Sequence, residues 1–295
     1  GAALCVGAGV QITAETISRA ISAPAGAIVL ALAALLPLSL ATGNWQAVDM
    51  SQRTETRAAW QDLLALPLPA GAVLVSTDRD EMTPMWYMQH VEQRRPDLSG
   101  LFPNIRPEDE FSSLGALLDW LLARGQQPYL IKPMPGLDIK YHIETSGVLA
   151  RVMSHAAPRP LSPQTPLSAS FDGQMRLLGA DVQGAARAGG ALTVTLYWTP
   201  QARMNEDYHV FVQLVTAAGE RVQGSDHRPG GLFYATPSWR MGDVLADRHT
   251  LPLPDNLPAG EYTLLAGVYR YPALSRLALA DGQTTARLAT LRIQP

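Results

Sequence analysis

AGAIVLALAALLPLSLAT, residues 25–42, is the stretch that decides how this chain is organised, and it is the centre of a window, residues 20–48, without a charged residue. About eighteen to twenty helical residues, rising about 1.5 Å each, cover the roughly 30 Å hydrocarbon core of a bilayer. The stretch therefore predicts a membrane-spanning helix. Pro37 inside it is tolerated in lipid when Ser39 and Thr42 help to satisfy the freed carbonyl.

Two other interpretations of this stretch remain open: a buried core helix and the apolar part of a secretory signal. A signal peptide begins near the first residue and is short, whereas residues 1–10 ahead of the stretch are themselves apolar. We therefore expect the chain to be the C-terminal part of a longer protein, with residues 11–23 as a loop between two spans. Arg19 is the only basic residue of that loop, so the positive-inside tendency places the loop in the cytoplasm and the residues after Gly43 outside.

Composition and charge exclude several classes of function. Charged residues make up 17% of the 295 residues, and their scarcity before residue 49 agrees with a lipid-embedded segment. The net charge of −3 and the absence of a basic cluster argue against a nucleic-acid partner. Cys5 is the only cysteine, so a disulfide framework or a thiolate metal site is excluded. The lipid bilayer is the expected partner.

Residues 49–155 have the pattern of a small extracytoplasmic α/β domain. Asp49 and Gln52 resemble a capping box, and Thr83-Pro84 resembles a second helix start. The expected helices are 50–66, 83–93 and 107–125, and the expected buried strands include 72–76 and 128–131. Alternating strands and helices at these spacings predict a parallel sheet, with 138–143 and 148–153 as an added hairpin or edge.

The pattern changes after a proline-rich segment, residues 156–169, which we interpret as a semi-rigid linker. Residues 170–295 alternate apolar and polar side chains with a period of two, and turn signals recur between these runs. The expected strands are 176–183, 191–199, 208–216, 220–225, 243–251, 261–270 and 285–293. Short strands without a helical pattern predict an antiparallel β-sandwich. Trp198 belongs to its inward face and is assigned to the core.

Three carboxylates directly follow the first predicted α/β strand: Asp78, Asp80 and Glu81. Ligands of open α/β sheets bind at the carboxyl ends of strands, so these side chains are candidates for holding a cation or sugar hydroxyls. The alternative is that they only favour the N-terminus of the next helix electrostatically. No glycine-rich phosphate loop is near them, which disfavours nucleotide binding.

The predicted sandwich contributes aromatic and histidine candidates. Aromatic faces beside polar side chains can stack on sugar rings, and Tyr234, Trp239 and Asp243 are the candidate ligand-binding residues there. The alternative for Trp239 is a loop aromatic that covers the edge of the sandwich. The six histidines lack metal-binding spacings, and the nearest clusters, Asp226-His227 and Asp247-Arg248-His249, indicate cross-strand pairs rather than zinc. We expect no metal site and no cofactor.

The order of these elements resembles the C-terminal region of bacterial multi-pass membrane proteins related to protein O-mannosyltransferases, in the GT-C glycosyltransferase superfamily. The matching segments after the apolar stretch are LPAGAVLVS (68–76), MWYMQHVEQRRPDL (85–98), WLLARGQQPYLI (120–131), LTVTLYWTP (192–200), DYHVFVQL (207–214), TPSWRMGDVLADRHTLPLP (236–254) and PAGEYTLLAGVYR (258–270). The resemblance implies transfer of sugar from a polyprenyl-phosphate donor by an acidic residue that lies upstream of these segments. It assigns no catalytic residue here and implies an immunoglobulin-like or carbohydrate-binding-module-like sandwich.

The leading hypothesis is therefore a non-catalytic extracytoplasmic region of a membrane glycosyltransferase that positions an acceptor, a glycan or a polyprenyl-linked sugar. The fragment alone is expected to be inactive. A second hypothesis is a membrane-tethered module of the cell envelope that binds glycan or protein without enzyme activity. A third is a secreted two-domain protein whose apolar stretch is a cleaved signal.

Overall fold

The computed structural model describes residues 2–20, 23–49 and 54–294, which fall into two compact units, Gly1–Ala59 and Trp60–Pro295. The first unit contains helices α1 (Ala2–Ala20) and α2 (Ala23–Val48). Within α2, Pro24–Val48 has a mean hydropathy of 2.2 and is only 6% buried. This helix is long and apolar enough to cross a membrane.

The prediction of a loop over residues 11–23 is wrong for residues 11–20, which continue α1, and for Ala23, which begins α2. The two threonines of this segment bond to carbonyls of the same helix. Thr13 Oγ1 donates to the Gly9 carbonyl over 2.9 Å, and Thr16 Oγ1 donates to the Ile12 carbonyl over 2.8 Å. Residues 21–22 lie outside the described part of the chain.

Helices α1 and α2 pack closely at Gly26. A Cβ on Gly26 would lie 1.6 Å from Ser18 Oγ and 2.7 Å from the Ala14 carbonyl oxygen, and Ala14 is 2% exposed. Small residues allow helix backbones to approach in this way, which is how helices associate in lipid.

The second unit begins with a mixed α/β arrangement. Its helices are residues 60–65 of α3 (Glu55–Ala65), α4 (Arg79–His90) and α5 (Leu114–Ala123). Its strands are β1 (Val73–Val75), β2 (Ser99–Leu101), β3 (Pro128–Leu130), β4 (Tyr141–Ser146) and β5 (Leu149–His155). The strand order is β2-β1-β3-β5-β4, in which β1 is parallel to both neighbours and the other pairs are antiparallel. Helix α4 packs on one face of β1, where Met82 and Met85 join Leu74, and α5 packs on the other, where Leu117 joins Val75.

Helix α4 begins earlier than the sequence predicts. Asp78, not Thr83, is its N-cap, because the Asp78 carboxylate accepts the Asp80 backbone N–H over 2.8 Å. Thr83 instead donates to the Arg79 carbonyl over 3.1 Å. The other predicted cap, the Asp49 and Gln52 box, lies partly outside the described residues, since Gln52 is not among them.

Nine further strands complete the second unit. They are β6 (Thr165–Phe171), β7 (Met175–Gly184), β8 (Ala191–Pro200), β9 (Tyr208–Thr216), β10 (Arg221–His227), β11 (Leu245–Pro252), β12 (Gly260–Arg270), β13 (Ser275–Arg276) and β14 (Ala286–Ile293). One antiparallel sheet has the order β11-β8-β7-β6. The other has the order β10-β9-β12-β13, with β14 also paired to β12. Strand β6 takes up residues 165–169 of the predicted linker.

One hydrophobic cluster joins the parts of this unit. It contains Leu117 of α5, Trp198 of β8 and Leu264 of β12, each 0% exposed. The prediction that Trp198 lies in the core is confirmed. The predicted fold class is confirmed at the level of an apolar N-terminal helix followed by mostly antiparallel β sheets.

Candidate functional site

One ion pair lies at the carboxyl ends of strands β1 and β3. Ser76 follows β1, Lys132 follows β3, and both side chains donate hydrogen bonds to the Glu81 carboxylate in the first turn of α4. Burial raises the pKa of Glu81, but the hydrogen bonds from Lys132 and Ser76 outweigh it, so the pKa lies below its ordinary value. The Glu81 carboxylate is therefore already paired with the Lys132 ammonium.

The other two candidate carboxylates at this edge act locally. Asp78 caps α4 through the bond to the Asp80 N–H, and Asp80 itself contacts Arg79 Nε at 3.3 Å on the exposed surface. Their positions match the alternative interpretation, in which negatively charged side chains interact favourably with the N-terminus of α4. Of the three candidates, only Glu81 faces Lys132.

The structure brings Tyr234 and Asp243 together in the interior around Lys140, which is 2% exposed. The Lys140 ammonium donates to Asp243 Oδ1 over 2.7 Å and to the Tyr234 hydroxyl over 3.0 Å. The Tyr234 hydroxyl donates to Asp243 Oδ2 over 2.6 Å. Trp239, 4% exposed, donates its indole N–H to the Tyr234 carbonyl over 2.9 Å. None of these three candidates offers a free face to a ligand.

The lysine cluster extends into the α/β part through Asp119 of α5. Asp119 accepts from Lys140 Nζ over 2.8 Å and from the Tyr141 hydroxyl over 2.9 Å, and His155 Nε2 lies 3.5 Å away. Burial raises the pKa of Asp119, but hydrogen bonds from His155 and Lys140 outweigh it and lower the pKa to about 2. Burial and the neighbouring carboxylates raise the pKa of both Tyr141 and Tyr234, so their hydroxyls remain donors.

The sequence interpretation missed Lys140 and Asp119, because their partners are far away along the chain. A signal was present: Lys132 and Lys140 are the only lysines in a chain otherwise supplied with arginine. Each lies in one of the two ion-pair clusters. A compact ammonium fits among several oxygens where the planar guanidinium of arginine does not.

A set of aromatic side chains, of which one is exposed and two are partly buried, lies on the outer face of the five-stranded antiparallel sheet. We call His209, Tyr269 and Tyr271 the aromatic patch. The rings of His209 and Tyr271 stack with centroids 4.6 Å apart and planes 17° from parallel, and Tyr271 is 54% exposed. The Tyr269 hydroxyl donates to Asp226 Oδ1 over 2.8 Å; burial and this bond raise the pKa of Tyr269 to about 12. The patch combines flat rings with hydrogen-bonding groups at the surface.

Within the described residues, one group of histidine and carboxylate side chains is compact enough to hold a metal ion: His227, Asp247 and His249. His227 Nε2 lies 2.8 Å from Asp247 Oδ1, and His249 Nε2 lies 3.1 Å from Asp247 Oδ2. Hydrogen bonds from both histidines outweigh the effect of burial and lower the pKa of Asp247 to about 2. Spacing rules miss this group because its members come from two strands that are neighbours only in the fold.

No protein-family model matches the chain, and no curated protein sequence matches it. Among solved structures, the C-terminal domain of wzt is similar at 13% identity and a TM-score of 0.35, covering 45% of this chain and 83% of that one. A Niemann-Pick type C2 protein from Japanese carpenter ant is similar at 9% identity and a TM-score of 0.28, covering 45% of this chain and 98% of that one. A β-glucuronidase from glycoside hydrolase family 2 is similar at 14% identity and a TM-score of 0.30, covering 40% of this chain and 11% of that one. These likenesses assign no function to the chain.

Proposed function

We propose that this chain is the membrane-anchored, extracytoplasmic C-terminal region of a membrane glycosyltransferase that uses a polyprenyl-phosphate sugar donor. The observation that carries the proposal is helix α2. Its leucines are open to the surroundings, with Leu32 62% and Leu38 59% exposed. Exposed apolar surface costs about 25 cal/mol per Å² in water, and lipid removes that cost. The uncharged helix therefore favours a bilayer.

The region acts in this proposal by positioning acceptor or glycan, not by transferring the sugar. A catalytic carboxylate must be available to its substrate, whereas Glu81, Asp119 and Asp243 are each bound by a lysine ammonium. These contacts support a structural role for all three. The catalytic acid then belongs to another part of the complete enzyme, as the sequence resemblance implies.

The aromatic patch supports glycan as the bound molecule. Sugar rings stack on flat aromatic faces, and Tyr271 presents such a face at the surface while Tyr269 and Asp226 supply hydrogen-bonding groups beside it. In this proposal the two antiparallel sheets form a sandwich of the immunoglobulin-like or carbohydrate-binding-module-like kind. The patch lies on its outer face.

A second candidate function is a tethered module that binds envelope glycan with no enzyme attached. The same exposed patch favours it, because glycan binding there requires no transferase. The two candidates differ in a direct assay. Membranes that contain the native protein transfer sugar from a polyprenyl-phosphate donor in the first case and do not in the second.

The topology can be tested with single cysteines. Cys5 is the only native cysteine, so Cys5→Ser provides a cysteine-free background. Ala218→Cys then places a thiol in the exposed turn between β9 and β10. An impermeant maleimide should label it in intact spheroplasts as fully as after lysis. Labelling only after lysis would place this turn in the cytoplasm and reject the proposal.

Glycan binding can be tested by titrating the full chain in detergent with envelope oligosaccharides in a calorimeter. Tyr271→Ala should weaken binding by about 2- to 10-fold, the value of one aromatic contact. Tyr87→Ala, which removes an exposed tyrosine on α4, is the matched control and should bind like the native chain. Equal affinity of all three proteins would exclude the patch as the glycan site.

A further inference from the structure

We propose that His227, Asp247 and His249 form a binding site for a divalent transition metal of the Zn²⁺ class. The three side chains offer two imidazole nitrogens and one carboxylate oxygen, all within 4.8 Å of one another. This inference does not depend on the proposed function. It concerns residues inside the second unit on the inward side of β10, whereas the neighbouring Asp226 faces the aromatic patch.

The three ligands come from the outer strands of the two antiparallel sheets. His227 is the last residue of β10 and is paired with the buried Val210, so its side chain points inward. Asp247 and His249 are the inward residues of β11, 3% and 0% exposed, and they alternate with the exposed Arg248. A metal held by all three would therefore connect the edges of the two sheets.

The orientation of His249 fits a metal ligand. Its Nδ1 lies 3.2 Å from Ser225 Oγ, and this contact leaves Nε2 directed at Asp247. Ligating histidines usually use the second ring nitrogen for such a contact, which fixes the tautomer and the direction of the ligating atom. Ser225 would therefore hold the His249 ring in the orientation that directs Nε2 at the metal.

The two histidine rings present their nitrogens from the same side. The rings of His227 and His249 stack with centroids 4.1 Å apart and planes inclined by 25°. Each Nε2 faces a different oxygen of Asp247. A cation that enters between them replaces these two hydrogen bonds, after small rotations of both rings bring the nitrogens to one centre.

The site has room for a further ligand. A cavity of about 220 Å³ is lined by His227 and Asp247 together with Asp138 and Arg228. A water molecule can occupy a fourth position from that side, as in metal sites with three protein ligands. Two imidazoles and one carboxylate favour Zn²⁺ and its neighbours over Ca²⁺ and Mg²⁺, which prefer oxygen ligands.

The test uses the full chain, purified without an affinity tag, stripped with a chelator and titrated with Zn²⁺ alone. We expect one Zn²⁺ per chain and a rise in Tm of about 5–10 °C when free Zn²⁺ is 100 times its Kd. His227→Gln should abolish both effects, because it removes one of the three ligands. The variant should still fold, because the His227 side chain is 37% exposed and its loss does not open the core. His142→Gln, which removes an exposed histidine from β4, should leave both unchanged.

A second measurement avoids the need for a stable variant. Long-range ¹H–¹⁵N spectra of the native chain report all six histidine side chains. Zn²⁺ should shift the ring-nitrogen signals of His227 and His249 and leave those of the other four histidines unchanged. No bound Zn²⁺ in the native chain, equal binding by His227→Gln, or an equal rise in Tm with Mg²⁺ would each overturn the proposal.

Discussion

Lys140 Nζ lies 2.7 Å from Asp243 Oδ1, although the two residues are 103 positions apart in the chain. The contact joins the α/β part of the second unit to the segment before β11. Since Asp119 binds the same ammonium over 2.8 Å, Lys140 balances two carboxylates at once. Both ion pairs lie where little solvent reaches the ammonium, because Lys140 is 2% exposed.

Replacing Lys140 by methionine should lower the free energy of unfolding of the second unit by roughly 3–5 kcal/mol, because it leaves buried carboxylates without a counter-charge. Lys140→Arg should also destabilise it, since the planar guanidinium cannot replace a compact ammonium among three oxygens. Denaturation followed by tryptophan fluorescence measures both. Lys132→Met is the control, and it should lower the free energy of unfolding clearly less, because this lysine is 35% exposed. Equal losses at the two lysines would contradict the prediction.

Gly115→Ala should destabilise the chain by roughly 1–3 kcal/mol, although alanine is normally the better helix former. The new Cβ would lie 2.5 Å from the Tyr234 ring, which is fixed by its bonds to Lys140 and Asp243. Thermal unfolding followed by circular dichroism measures the change. Gly260→Ala, where the nearest atom is 3.9 Å away, should be close to neutral. A stabilised Gly115→Ala variant would show that Tyr234 can move.

The stability of the chain should fall as the pH decreases from about 4 to about 2. The pKa of Asp119 is lower in the folded chain, about 2, than its ordinary value of 3.8. The ionised carboxylate therefore stabilises the fold fully above pH 4, and this contribution is lost as the pH falls through the folded pKa. Asp119→Asn should show a weaker dependence of Tm on pH in this window.

Leu35→Arg should reduce the fraction of the chain recovered in the membrane. A charged residue at the centre of a spanning helix costs roughly 2.5–3.5 kcal/mol on insertion. Leu35 is 56% exposed near the middle of α2, so the substitution acts mainly on the solvation of the helix. Carbonate extraction of membranes separates inserted from released chains. Leu232→Arg, at a leucine 78% exposed in the second unit, should remain inserted like the native chain.

The sequence predicted most strands of the antiparallel sheets because alternation along a strand is a local property. The expected strands 191–199 and 208–216 differ from β8 and β9 by a residue at most. Strand β6 was missed because its region is rich in proline. Pro166 is accommodated there because β6 is an outer strand and its pairing with β7 is irregular between Pro166 and Ala169.

The candidate sites were predicted less well because they depend on contacts between distant residues. The strand-end rule located Glu81, and the same rule could have found Lys132, which follows β3 at the same edge. Trp239 was predicted as a ligand-binding aromatic because its ring lies beside polar residues in the sequence. Its indole N–H is instead taken by the Tyr234 carbonyl, a contact that no local pattern reveals.

The buried ammonium of Lys140 also limits how the second unit can bend. Residues before 156 and after 165 are held to the same charge, so separating them would leave ions without partners in the interior. The apolar cluster shared by α5, β8 and β12 acts in the same direction, so parting the two halves would expose apolar side chains as well as ions.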